Sequence, residues 1–421
     1  MIRRLRAGAV ALALVLCVPA VQTSASAHGT ARAPAHDTTG APAHGTGHGW
    51  VGTWEAAPTR DTADTFAGYS IRNVVRVSVG GAATRIRLSN RFGTTALTFG
   101  HVTVARRASG ADGSAASPGT VRDVTFAGRS SVTAGPGTDV VSDPVALPVP
   151  ARTDLLVSVY LPTQTGPVTY HALAGQTSYL APGGDHAADV SGTAYPQQRS
   201  SWFYVTGVDV LNPLAHGSVV AFGDSITDGY GSTYGADHRW PDFLADRLAD
   251  RTFGPHLGVL NAGISGNRLL LPPLVDAFGP PASERLDGDV LSRTGARTVI
   301  VLEGINDIQQ SPHQTDPAKI NAALRAIADR AHARGLRVIA GTLTPFKGWP
   351  AYTGELEAVR LAVNDFIRTS RAFDGVVDFD AAVRDPADPH RILPAYDCGD
   401  HLHPNDAGYR AMADVVEPRQ L

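Results

Sequence analysis

Cysteine is almost missing from this chain, with two in 421 residues. One of them, Cys17, lies in an apolar N-terminal run, so loss of that run leaves Cys398 alone and excludes an internal disulfide. Cys398 stands two residues before Asp400, and the plain reading of it is a small side chain packed beside a loop. No Cys-x-x-Cys, His-Glu-x-x-His or Walker-type loop occurs, so zinc and nucleotide chemistry have no motif to rest on. Gly-x-Ser-x-Gly is also missing, which argues against the usual lipase elbow. Excess charge is lacking too. The formal net charge of -3 offers no polybasic face to nucleic acid or to an anionic membrane. Lysine accounts for only two of the 36 basic residues, a bias that reads as genome composition rather than a binding demand. No segment beyond the N-terminus approaches a membrane-spanning length, so stable membrane insertion is not expected.

What is present begins with an export signal. Arg3, Arg4 and Arg6 precede an apolar run over 9–21, and Ala25-Ser26-Ala27 forms a small-x-small cleavage site. Residues 1–27 therefore read as a signal peptide of a secreted, extracellular protein, with a retained anchor as the alternative. Leu16 before Cys17 argues against lipid attachment. Cleavage removes three Arg and no acids, which takes the net charge from -3 to about -6. Residues 28–49 form a low-complexity linker with a near repeat and four histidines, His28, His36, His44 and His48. Such a stretch buries too little apolar surface to offset its ordering entropy. A tether is the expected role, with metal collection as the rival.

Residues 50–211 carry β signals only. Residues 84–89 and 97–104 alternate polar and apolar, and further strands are expected at 71–79, 121–126, 155–161 and 201–210. Short strands separated by Gly, Pro and Asn/Asp turns predict an all-β sandwich or jelly-roll domain. Trp50, Trp54 and Trp202 are either core side chains or platforms for sugar rings.

After Asn212-Pro213 the texture changes, and residues 212–421 alternate strand with helix. Strands are expected at 218–222, 258–261, 298–302, 336–340 and 375–378. Helices are expected at 240–251, 317–333, 355–367 and from 405 onward. That alternation predicts an α/β domain, a doubly wound parallel sheet covered on both faces. Ligands of such sheets bind beyond the carboxyl ends of the strands. Three segments, 223–225, 261–266 and 303–307, follow strands directly and converge there.

Asp400 and His403, three residues apart, form a carboxylate–imidazole pair that one turn can hold. A serine hydroxyl is a poor nucleophile until an imidazole takes its proton, and Ser225 is the serine that fits. His401 competes for the base position, but three residues before it stands Cys398 rather than a carboxylate. Asp397 and His390 are rival partners.

Four segments carry a resemblance to the SGNH, or GDSL, hydrolase family: Gly223-Asp224-Ser225-Ile226, Asn261 through Asn267, Gly304-Ile305-Asn306-Asp307, and Asp400-His401-Leu402-His403-Pro404. Ile226 replaces the family's Leu. The resemblance spans about 217 to the C-terminus. With Trp50-Val51-Gly52-Thr53-Trp54 opening a β domain ahead of it, the chain looks like a branch that includes xylanase-cluster arylesterases. The resemblance implies a flavodoxin-like sheet, Ser225 as nucleophile, His403 as general base and Asp400 as its orienting acid. It also implies an oxyanion hole from the backbone N–H groups of Ser225 and Gly266 and the Asn306 side-chain amide. Asp224 and Asp307 read as loop-bracing carboxylates. No cofactor or metal is needed for ester hydrolysis.

The expected activity is thus that of a secreted serine esterase acting on a small-molecule or polysaccharide ester, with acetyl or acyl groups on carbohydrate favoured. A lipase would use Leu269, Leu270, Leu271 and Leu274 as an acyl groove. An aryl or feruloyl esterase would use Phe346, Trp349 and Tyr352 as a slot. A reading of another class makes the chain a carbohydrate-binding protein with a vestigial hydrolase half.

Overall fold

The computed structural model describes residues 49–110, 113–251 and 256–421. The expected signal peptide, Cys17 and the linker histidines lie outside the described residues. The described residues belong to one compact unit.

The N-terminal part of this unit is antiparallel throughout. A four-stranded sheet runs in the order Trp50–Glu55, Val205–Leu211, Thr84–Ser89, Asp139–Val141. A six-stranded sheet is centred on Tyr69–Arg76, Asp154–Leu161 and His101–Arg106. The period-2 rule sorts their side chains. Leu155, Val157 and Val159 join Ile86, Leu88 and Val208 in the main core, while Leu156 and Val74 turn to a smaller cluster on the far face. This is the expected sandwich. Trp54 and Trp202 meet edge-to-face at 5.0 Å inside it, so neither is free to stack on a sugar. Three sequence expectations shift. The run at 97–104 breaks at Gly100 into Leu97–Phe99 and His101–Arg106, and 201–210 breaks at Tyr204, whose φ is +62°. Of 121–126 only Arg122–Asp123 pairs as strand.

The C-terminal part is a five-stranded sheet, parallel throughout. Its strands are β1 (Ala215–Gly223), β2 (His256–Gly263), β3 (Ala296–Leu302), β4 (Arg337–Gly341) and β5 (Gly375–Val377), in spatial order β2-β1-β3-β4-β5. That order is flavodoxin-like, and it places the topological switch point between β1 and β3. Pro317–His332 and Gly354–Thr369 flank the sheet as helices. Each starts on a side-chain cap, Asp316 to the Ala318 N–H and Thr353 to the Leu356 N–H. Their buried faces repeat at three and four residues: Ile320, Ala323, Leu324 and Ile327 in one, Leu356, Val359 and Val363 in the other.

The two parts share a boundary of close backbone contact. The Gly52 N–H donates to the Thr294 carbonyl at 2.9 Å, and Ser218 Oγ donates to the Gly52 carbonyl at 3.0 Å. A Cβ at Gly258 would stand 2.0 Å from that same carbonyl oxygen, so only glycine admits the approach. Buried ions cross the boundary as well. Arg293 from the C-terminal part meets Glu55 at 2.6 Å, and Arg91 of the sandwich meets Asp289 at 2.5 Å. Burial pushes the Glu55 carboxyl up to about 8 against the pull of Arg293.

Candidate active site

β1 delivers the chain to the switch point, where Asp224 caps a short helix, Ser225–Asp228, by accepting the Ile226 N–H at 3.0 Å. The helix closes at Gly229, whose φ of +100° is the left-handed conformation glycine permits. Ser225 therefore sits on a tight strand-to-helix turn. Its Oγ lies 2.8 Å from His403 Nε2, and His403 Nδ1 lies 2.6 Å from Asp400 Oδ2. Asp400 Oδ1 accepts the Leu402 and His403 N–H groups, both at 2.9 Å. Partial burial works to raise the Asp400 carboxyl, but the hydrogen bond and charge of His403, with those backbone donors, hold it well below the usual carboxylate range. An ionised Asp400 requires the His403 proton on Nδ1, which leaves Nε2 as the acceptor facing Ser225.

The loop holding this pair is fastened on both sides. Cys398 N–H donates to the His403 carbonyl at 3.0 Å, and Asn405 Nδ2 donates to the carbonyls of Ala395 and Asp397. Asn405 Oδ1 then caps the helix Asp406–Asp414. His401 is resolved from His403 by its partner: it binds Asp397 at 2.6 Å and stands exposed at φ +70°. His390 pairs with Glu357. Neither rival joins Ser225. Burial and the Asp400 charge push the Cys398 thiol up to about 11, which keeps it from being a thiolate nucleophile.

The other two segments arrive from β2 and β3. Asn306 lies in the helix Ile305–Gln309, and its Nδ2 donates to the Asn267 carbonyl at 2.8 Å. Its Oδ1 accepts from Gln309 Nε2 at 2.7 Å and Gln310 Nε2 at 3.0 Å, which fixes the amide orientation and leaves one N–H free of these bonds. Gly266 has φ +79°, and the ring of Phe278 lies so close that an added Cβ would stand 2.4 Å from it. Among the described residues the backbone N–H groups of Ser225 and Gly266 donate to no protein acceptor. Asp307 braces the loop as expected, accepting the N–H groups of Leu269, Leu270 and Leu271 at 2.5, 3.0 and 3.1 Å. Asp224 is fully buried, and burial pushes it up to about 7.

Several neighbours escape sequence reasoning. Arg285, buried from the helix Ala282–Leu286, donates to the carbonyls of Gly223 (2.9 Å) and Ala262 (2.8 Å), to Asn267 Oδ1 (2.8 Å), and to Asp289 and Glu303. It ties the ends of β1 and β2 together directly beneath the site. Tyr230 packs on the His403 ring at 4.4 Å, and Trp349 meets that ring edge-on at 6.1 Å. Trp349 Nε1 also donates to Gln309 Oε1 at 2.8 Å, which links it to Asn306. Of the proposed slot residues, Phe346 is instead core, with Tyr352 packed on it. Of the proposed groove residues, Leu269 is core, Leu270 and Leu271 are half-buried, and Leu274 is exposed.

Residues 221–411 match the GDSL-like Lipase/Acylhydrolase family. No curated protein matches the chain. Among solved structures, the chain is similar to the aryl esterase of M. smegmatis (18% identity, TM-score 0.36, 47% of this chain and 94% of that one). It is also similar to a carbohydrate acetylesterase from Sinorhizobium meliloti (20%, 0.35, 47% and 95%) and a GDSL-like lipase from Bacteroides thetaiotaomicron (20%, 0.35, 47% and 84%). The C-terminal part of this chain, over residues 221–411, is a domain of the GDSL-like lipase/acylhydrolase family.

Proposed function

We propose that the chain is a secreted serine carboxylic-ester hydrolase that works through an acyl-Ser225 intermediate and removes short acyl groups, acetyl foremost, from carbohydrate or other small esters. The observation that carries this reading is the unbroken hydrogen-bonded line Ser225–His403–Asp400. In the first half-reaction Ser225 Oγ attacks the ester carbon while His403 Nε2 takes its proton. The carbonyl oxygen becomes an oxyanion, received by the Ser225 and Gly266 N–H groups and the free N–H of Asn306. His403 then gives its proton to the departing alkoxide. In the second half-reaction water replaces the alcohol, His403 takes the water's proton, and the acid leaves as Ser225 recovers its hydrogen. Asp400 stays ionised throughout and stabilises the imidazolium.

The surroundings favour a short acyl group. Phe278 closes over Gly266, Leu269 is core, and the backbone N–H groups of Leu269, Leu270 and Leu271 fix their turn on Asp307. The imidazole must face the leaving oxygen, so Tyr230 and Trp349, which flank His403, border the alcohol portion of the substrate. Flat aromatic faces suit a sugar ring. They suit an aryl alcohol equally, and that is the second reading. Export rests on residues 1–27. Side-by-side rates on acetyl sugars, aryl acetates and long-chain esters test the assignment. Acetyl esters should lead, and a preference for long chains would overturn the substrate class. Ser225→Ala should abolish turnover with unfolding unchanged; full turnover in that variant would remove the mechanism.

A further inference from the structure

His171 ends the sandwich strand Val168–His171 and is buried against the Trp202 ring at 5.5 Å. Its Nδ1 lies 2.8 Å from the Ala57 carbonyl oxygen. Its Nε2 lies 2.9 Å from Asp228 Oδ1 and 3.1 Å from the Leu173 carbonyl oxygen. Every neighbour of both ring nitrogens is an acceptor. A neutral imidazole has one N–H and would face a carbonyl or carboxylate with a bare lone pair, so the geometry requires the doubly protonated ring. Burial works against the charge, but the Asp228 carboxylate outweighs it and raises the His171 pKa.

Asp228 is the last residue of the helix that begins with Ser225. While Oδ1 faces His171, Oδ2 accepts the Ser265 backbone N–H at 2.8 Å and the Ser265 hydroxyl at 2.7 Å. Ser265 immediately precedes Gly266. The adjacent Ile264 N–H is held by the Gly223 carbonyl at 3.0 Å, so the two turns are pinned together at either side of this carboxylate. A buried carboxylate with one arm on a cation and the other on a turn has little freedom to rotate.

We propose that His171 is a positioning residue for the hydrolytic site: as an imidazolium supplied by the sandwich, it locks Asp228, and through Asp228 it sets the Ser265–Gly266 turn at the spacing from Ser225 that the oxyanion requires. The sandwich is then a structural part of the catalytic centre rather than an appended module. The inference rests on the oxyanion role given to Gly266 above. A plain buried ion pair would contribute to stability alone. A positioning pair acts on the transition state, and a displacement of about 1 Å in such a site can cost on the order of 100-fold in rate.

The test uses the full chain and a chromogenic acetyl ester, with kcat, KM and the denaturant midpoint measured for His171→Phe, His171→Gln, Ser265→Ala and Ser225→Ala. His171→Phe should lower kcat by roughly 100-fold with KM little changed. His171→Gln, which retains a donor toward Asp228, should recover much of that loss. Ser265→Ala removes one charge-assisted donor and keeps the backbone bond, so it should fold and lose about tenfold in kcat. It also serves if His171→Phe fails to fold. Wild-type kcat in a folded His171→Phe or in Ser265→Ala, or a loss confined to KM, would overturn the inference. Turnover surviving in Ser225→Ala would instead sink the hydrolase reading, so the two failures are distinct.

Discussion

Replacing Arg285 with Met should damage this protein more than any other single change outside the hydrogen-bonded line. The guanidinium is buried and makes five contacts: two carbonyls at the ends of β1 and β2, the Asn267 amide oxygen, and the carboxylates of Asp289 and Glu303. Met fills similar volume and supplies none of the donors. Glu303 is fully buried, burial and the Asp224 charge already push it well above its ordinary value, and Arg285 is what opposes them. Asp289 keeps Arg91 and Arg293. The loss therefore centres on Glu303 and on the two carbonyls. Breaking a buried pair by removing one partner costs about 3–5 kcal/mol, a large share of the roughly 5–15 kcal/mol that holds an ordinary domain folded. Urea unfolding of wild type, Arg285→Met and Arg285→Lys measures this. Lys should recover only part of the loss, because a single ammonium cannot reproduce the fork. Because the Gly223 and Asn267 contacts lie under the site, kcat should fall even where the variant is fully folded. A Met variant within about 1 kcal/mol of wild type would refute the claim that Arg285 holds the strand ends together.

Asn306→Ala should lose roughly 100- to 1000-fold in kcat with KM changed far less, since the amide meets the oxygen only as charge develops; a loss seen mainly in KM would contradict that role. The Asp400 carboxyl, held low in the folded chain, contributes stability that is fully present above its unfolded pKa of about 3.9 and is lost as pH falls through the depressed folded value. Unfolding measured from pH 7 down to pH 3 should show this acid loss in wild type and a smaller one in Asp400→Asn. Equal slopes would argue against the pairing.

Much of the fold is legible in the sequence because its signals are local. Thr84–Ser89 alternates over its whole length. β3 is an apolar β-branched run, and the Asp316-Pro317 start marks its helix in two residues. Ser225, Asn306 and His403 are readable because each lies in a short segment at a strand end or a helix start. His171 and Arg285 are not. Each acts on groups 57 to 62 residues away in sequence, His171 on Asp228 and Arg285 on Gly223, through a single side chain with no pattern around it. At Gly100 the break coincides with a change of phase, apolar at Leu97 and Phe99 before it and at Val102 and Val104 after it, whereas at Tyr204 the run Trp202-Phe203-Tyr204-Val205 is apolar throughout and has no alternation to mark the turn. The tryptophans illustrate how composition misleads, since only the closed sandwich shows that Trp54 and Trp202 face each other.

Treatment with a fluorophosphonate, followed by intact mass and peptide mapping, addresses the covalent step itself. One adduct per chain on Ser225, formed in proportion to lost esterase activity and absent from Ser225→Ala, is the predicted outcome. Full inactivation with the adduct on another residue, or full activity with Ser225 blocked, would contradict the account.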